Sequence, residues 1–230
     1  MKLFNIKRKK QLKSVVIFGL GTFGMQIAKN LHERGVFVIA IDKDQSRVDK
    51  AATLASKAIC TEATNMEVIK SHDIFDVDTA IIALKQHFDI TVIITNMLKK
   101  GGVEEIIVQV ASELQADAIK PVGATHVIFP QLDMAKQIAK RMVMPGIHDY
   151  VPLAKDFSII HMPIPERFVN QTLIDLQLRN RFKTSVIAIQ QSDGEFIGIP
   201  SPNAPLQPGC ELYIMGANDN LENLQEYLSE

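Results

Sequence analysis

Residues 14–18 read SVVIF and lead without a break into Gly19-Leu20-Gly21-Thr22-Phe23-Gly24. A continuous β-branched and apolar run suits a strand buried on both faces. Residues 23–34 then carry Phe23, Ile27, Ala28 and Leu31 at helical spacing, and Gly35 ends the helix. A G-x-G-x-x-G between a strand and a helix reads as a phosphate-binding turn. Gly19 permits the tight turn, Gly21 lets a phosphate approach the backbone, and Gly24 lets the helix pack close to the strand. The helix N-terminus adds N–H groups without intrahelical partners and about half a positive charge. Asp42 closes a second strand, 36–41. A carboxylate there can accept hydrogen bonds from both ribose hydroxyls and would repel a 2′-phosphate. Its plainer role is to cap the next helix.

The alternation continues. Helices are expected at 47–54, 65–70, 90–99 and 112–120, and strands at 58–60, 79–84, 105–110 and 126–129. Pro130 opens a helix to about residue 143, with Leu132, Ala135, Ile138 and Met142 on one face. Strands alternating with helices imply an α/β fold, a Rossmann-like doubly wound parallel sheet. After Met144 the character changes. Pro145-Gly146 breaks the helix, and Pro152, Pro163 and Pro165 follow. Strands are expected at 157–162, 184–190 and 211–215, with a turn at Asp193-Gly194, a loop over 201–209 and a helix at 220–228. This predicts a basic arm at 1–13, a nucleotide-binding domain at 14–145, and a small α+β C-terminal domain at 146–230.

Composition narrows the function. The chain has 230 residues, 47% hydrophobic and 22% charged, so a packed core is expected. Its net charge of −1 argues against a general nucleic-acid binder. Two cysteines, Cys60 and Cys210, cannot build a disulfide framework and read as reduced thiols of a cytosolic protein. Residues 1–13 lack the apolar core of a signal peptide. No run of about 18 apolar residues is present. The arm carries Lys2, Lys7, Arg8, Lys9, Lys10 and Lys13. It is either a solvated tail or a contact with anionic lipid or a membrane-bound partner.

No catalytic pair is evident. A dehydrogenase needs a proton-transfer group beside its cofactor. His148 with Asp149, and His161, are the nearest candidates. His32, His72, His87 and His126 are scattered without metal-ligand spacing. Asp73, Asp76 and Asp78 form an acidic loop, most simply a solvated one. The reading assigns no catalytic residue and no metal ligand.

Gly19–Gly24, Asp42, the Ala63-Thr64 pair and the Pro130 helix followed by a proline-rich domain together resemble the RCK (KTN, TrkA-N plus TrkA-C) family, over residues 14–230. The resemblance is to the cytosolic gating subunits of bacterial Ktr/Trk potassium uptake. It implies a non-enzymatic regulator whose partner is a membrane-embedded potassium transporter or channel subunit. It also implies dimers assembled into a ring, typically of eight subunits, at the inner face of the membrane. The implied cofactor is an adenine nucleotide: NAD(H), ADP, AMP or ATP. The glycine loop would hold phosphates, and Asp42, Lys43 and Asp44 the ribose side. Glu62, Ala63 and Thr64, with Ala83, Leu84 and Lys85, would line the adenine side. The C-terminal domain of some members binds cyclic di-AMP or a cation. Leu173-Ile174-Asp175-Leu176, Arg179 and Pro200 are similar to the cyclic di-AMP region, although the leucines and Ile174 also suit a core. The alternatives are an NAD-dependent oxidoreductase, or a nucleotide or redox sensor acting on a non-potassium partner.

The sequence departs from the ATP-gated pattern. Thr22 stands where the family usually has a basic residue in the glycine loop, and Gln109 where one follows the fifth strand. Gln131 replaces a glutamate associated with a cation, and Glu62 an aspartate. Each lost charge-assisted hydrogen bond weakens triphosphate binding by about 1.5–3 kcal/mol. Lys85 runs the other way, adding an amine where a small residue is usual. It either replaces part of the missing charge or fills the pocket itself.

Overall fold

The computed structural model describes residues 11–85, 87–143 and 146–229. Most of the basic arm, residues 1–10, lies outside the described residues. The chain divides into two compact units between Leu132 and Asp133.

The first unit is a parallel sheet of β1 (Ser14–Phe18), β2 (Phe37–Asp42), β3 (Lys57–Cys60), β4 (Thr79–Ile82), β5 (Glu105–Gln109) and β6 (His126–Ile128). Its order is β3-β2-β1-β4-β5-β6, the doubly wound arrangement expected. Burial explains why β1 is so apolar: Val15 through Phe18 are fully inaccessible, between strands on both edges and helices on both faces. The connecting helices are α1 (Thr22–His32), α2 (Gln45–Ala51), α3 (Met66–Ser71), α4 (Phe88–Lys100) and α5 (Glu113–Ile119); α6 (Pro130–Val143) follows β6, and the boundary between the units falls within it.

Caps set several boundaries. The side chains of Asp44, Asn65 and Ser112 accept from backbone N–H groups of the first turns of α2, α3 and α5. The Asp44 cap starts α2 at Gln45, two residues before the apolar spacing suggests. It also takes the capping role that Asp42 was a candidate for. In the acidic loop, Asp78 accepts from the backbone N–H groups of Lys13 and Ser14 at 2.8 and 2.9 Å. It ties the start of β1 to the start of β4.

The second unit is an antiparallel sheet of β7 (Asp149–Ala154), β8 (Phe157–Pro163), β9 (Ser185–Gln190), β10 (Phe196–Gly198) and β11 (Glu211–Ala217), ordered β10-β9-β11-β8-β7. Helices α7 (Leu173–Leu176), α8 (Leu178–Phe182) and α9 (Asn218–Ser229) complete it. Leu221 and Leu224 of α9 pack with Ile160, Leu212 and Ile214 in its core. Pro152 falls where the sequence suggests no strand, yet it lies inside β7. That strand is at the sheet edge and carries a bulge after Pro152, where a missing N–H costs no ladder bond. The Asp193-Gly194 turn joins β9 to β10, with Gly194 at φ +90°.

Candidate functional site

The sheet order reverses between β1 and β4, and the glycine loop sits at that switch. Its backbone is pinned from both sides. Gly19 N donates to Ile41 O at 2.8 Å, and Ala83 N donates to Phe18 O at 2.7 Å. Gly19 has φ +94°, and a Cβ there would lie 2.7 Å from Ala83 O. A Cβ on Gly24 would lie 1.9 Å from Gly19 O. The fold itself therefore requires both glycines.

Gly21 is different. Its φ of −66° and ψ of −176° suit any residue, and a Cβ there meets no atom within 4 Å. Nothing among the described residues asks for glycine at this position. The space it leaves opens on a cavity of about 350 Å³, within the range of small-molecule sites. Gly21 is also the N-cap of α1, and no side chain caps that helix end. The first turn of α1 carries no acidic residue. The N–H groups of that turn have no intrahelical partner.

Asp42 is buried and anchors the floor. Its Oδ2 accepts from Leu20 N at 2.7 Å and its Oδ1 from Asp44 N at 2.9 Å. Arg47 reaches Asp42 Oδ2 at 3.4 Å and, through Nε, Asp44 Oδ2 at 3.4 Å. Lys43 lies 3.9 Å from Glu62. Lys85 is exposed on the cavity rim and has no ion pair among the described residues.

Ten of the expected residues line this cavity. Gly19 and Gly21 lie on the phosphate side, Asp42, Lys43 and Asp44 at the end of β2. Glu62, Ala63, Ala83, Leu84 and Lys85 close it. Five do not line it: Leu20 is buried with its N–H on Asp42, while Thr22, Phe23 and Gly24 belong to α1. Thr64 lines a separate hollow with Phe75 and Asn96. The sequence reading missed Arg47, Ile41, His87 and Ile90. Arg47 had a legible signal, since it is a cation three residues into α2, facing back toward Asp42. Gln109 and Gln131, two of the altered positions, hydrogen-bond to each other at 3.3 Å through Nε2 and Oε1. Two neutral amides satisfy one another there, and neither lines the cavity.

In the second unit, Leu173, Arg179 and Pro200 share a cavity of about 300 Å³. Thr184 Oγ1 is buried there without a hydrogen-bond partner among the described residues. Asp175 is taken up locally: its carboxylate accepts from Thr172 N and Oγ1 at 3.0 and 2.6 Å, closing a capping box on α7. Those bonds hold the Asp175 carboxyl below the usual carboxylate range.

A glycine loop at the switch point of a 3-2-1-4-5-6 sheet, with a carboxylate ending β2, defines a nucleotide-binding α/β domain of the doubly wound class. The TrkA-N domain family matches residues 15–130 and the TrkA-C domain family residues 158–229. The chain belongs to this TrkA-N/TrkA-C, or RCK, family. It is 32% identical over 214 residues to the Ktr system potassium uptake protein C of Bacillus subtilis, covering 93% of this chain and 96% of that one. It is 28% identical over 211 residues to the Ktr system potassium uptake protein A of Vibrio alginolyticus, covering 92% and 96%. Among solved structures, the RCK domain of the GsuK channel has a TM-score of 0.51 at 16% identity. It covers 97% of this chain, which spans 48% of that one. No helix among the described residues is long and apolar enough to cross a membrane.

Proposed function

We propose that this chain is a nucleotide-responsive, non-enzymatic regulatory subunit of a membrane potassium transporter or channel. Residues 14–145 bind the nucleotide, and residues 146–230 form a regulatory domain. The observation that carries the reading is Gly21, a glycine that the protein's own packing does not require, at the mouth of the cavity. An adenine nucleotide fits this chemistry. Its phosphates lie on the loop backbone and the α1 N-terminus, its ribose beside Asp42, and its base between Ala63 and Leu84. Arg47 and Lys85 supply cationic charge that Thr22 and Gln109 do not. Relatives named as Ktr and Trk potassium uptake proteins support the potassium partner. In the second unit, Arg179 and the unpartnered Thr184 hydroxyl support a phosphate-bearing effector such as cyclic di-AMP.

Gating is a shift between two assembly shapes. A nucleotide moves that equilibrium only by its differential affinity for them, typically about 1–3 kcal/mol of coupling. The expected result is that coexpression with the membrane subunit of a bacterial Ktr system raises rubidium uptake in a potassium-uptake-deficient strain. Uptake equal to that of the membrane subunit alone would overturn the regulatory reading.

Self-association is part of the proposal. On α6, Met134, Ile138 and Met142, spaced i, i+4 and i+8 on one face, are exposed, Met142 at 80%. An apolar helix face of this kind calls for a cover, and a second copy supplies the same face in return. Replacing Ile138 and Met142 by glutamate should lower the mass seen by analytical ultracentrifugation to that of a monomer. An unchanged mass would show that another surface holds the assembly.

A further inference from the structure

A cluster in the second unit plays no part in the nucleotide reading. His148, His161 and Glu211 present their donor atoms within 4.8 Å of one another. The register brings them together. β8 alternates, with Ser158, Ile160 and Met162 buried and Ile159, His161 and Pro163 on the other face. β11 alternates likewise, placing Glu211 and Tyr213 on the face opposite the core. Tyr213 is the direct partner of His161, so Glu211 is its diagonal neighbour. His148 directly precedes β7 on the other side of β8, and its N–H donates to His161 O at 2.7 Å.

The donors already converge. His161 Nε2 lies 2.5 Å from Glu211 Oε2, and His148 Nδ1 lies 3.4 Å from Glu211 Oε1. The two imidazoles stand at 87°, their centroids 5.6 Å apart. The His161 ring is stacked on Tyr213 at 4.2 Å and 9°, which fixes its plane. With metal–ligand bonds of about 2.0–2.1 Å, neighbouring donors of a tetrahedral ion lie about 3.3 Å apart. The His148–Glu211 pair already has that spacing. The His161–Glu211 pair uses the other carboxylate oxygen, so it must open by about 1 Å and the Glu211 carboxylate must turn to set one oxygen against both imidazoles.

We infer that His148, His161 and Glu211 form a divalent transition-metal site of the zinc type. Two imidazoles and one carboxylate suit zinc, cobalt or nickel, whereas magnesium and calcium favour all-oxygen sites. Three protein ligands leave a fourth position for water or for a donor from another molecule. An ion there would tie the segment before β7 to the start of β11 across β8, and so clamp one end of the second sheet.

The test uses the full chain, free of any histidine tag. Equilibrium dialysis against zinc should give one ion per chain. Cobalt should give the visible absorption of a tetrahedral complex, and equimolar zinc should displace it. His148→Ala changes a half-exposed side chain and is expected to remain folded by circular dichroism, with zinc affinity down at least tenfold. The pair His148→Ala/His161→Ala should bind none at the same concentration. The inference is overturned if the folded wild-type chain binds no stoichiometric zinc, if folded His148→Ala binds it undiminished, or if magnesium competes on equal terms. In the first case the cluster is a hydrogen-bonded His–Glu pair only.

Discussion

Gly24→Ala is expected to lower the thermal midpoint by about 10 °C or to prevent soluble expression. The added Cβ would sit 1.9 Å from Gly19 O, and no rotamer change relieves a clash with backbone. Gly19 cannot yield. It is held in the left-handed region by its bond to Ile41 O and by Ala83 O, 2.7 Å from where its own Cβ would be. Helix α1 would have to lift off β1, exposing Ala28 and Val16, both fully buried. Overpacking costs about 1–3 kcal/mol and more when the backbone must move. At about 2–4 °C per kcal/mol for a chain of this size, the shift is large in a calorimetric scan. A midpoint within 2 °C of wild type, roughly half a kcal/mol, would mean that the close approach of α1 to the loop is not as described.

Gly21→Val, three residues away, should do the opposite. Its backbone conformation suits valine and its surroundings are empty, so the midpoint should move by no more than about 2 °C. The branched side chain would instead project into the space a phosphate must enter. Nucleotide affinity is expected to fall at least a hundredfold, about 2.7 kcal/mol. Both measurements come from one titration calorimeter and one melting series. The pair separates two meanings of a glycine motif. Gly19 and Gly24 build the turn whether or not anything binds, and Gly21 has a purpose only if something does.

That distinction was only half legible in the sequence. The spacing announced the motif, and the apolar runs announced a parallel sheet, because buried strands have no polar face to hide. The motif assigned Gly21 to a phosphate and Gly19 and Gly24 to the turn, but the spacing could not say which contacts enforce those roles. They are those with Ala83 O and Gly19 O, brought close by β4 and α1. Arg47 escaped notice because its partner Asp42 lies on a different element, although only five residues away. In the second unit the sequence suggests no strand around Pro152. Proline is unusual inside a strand, but an edge strand with a bulge accommodates it. With β7 missing from the reading, His148 had no register, and Glu211 had no reason to meet it. Clusters made by strand pairing across about 50 residues leave no local pattern to find.

The measurement closest to the central claim is calorimetric titration of the purified chain with ATP, ADP, AMP, NAD and NADH, repeated on folded Gly21→Val. The account predicts that at least one of these binds the wild-type chain at about one per chain, and that Gly21→Val loses it while keeping its melting temperature. Binding by none of them, or binding that survives Gly21→Val undiminished, would contradict a nucleotide site at the glycine loop.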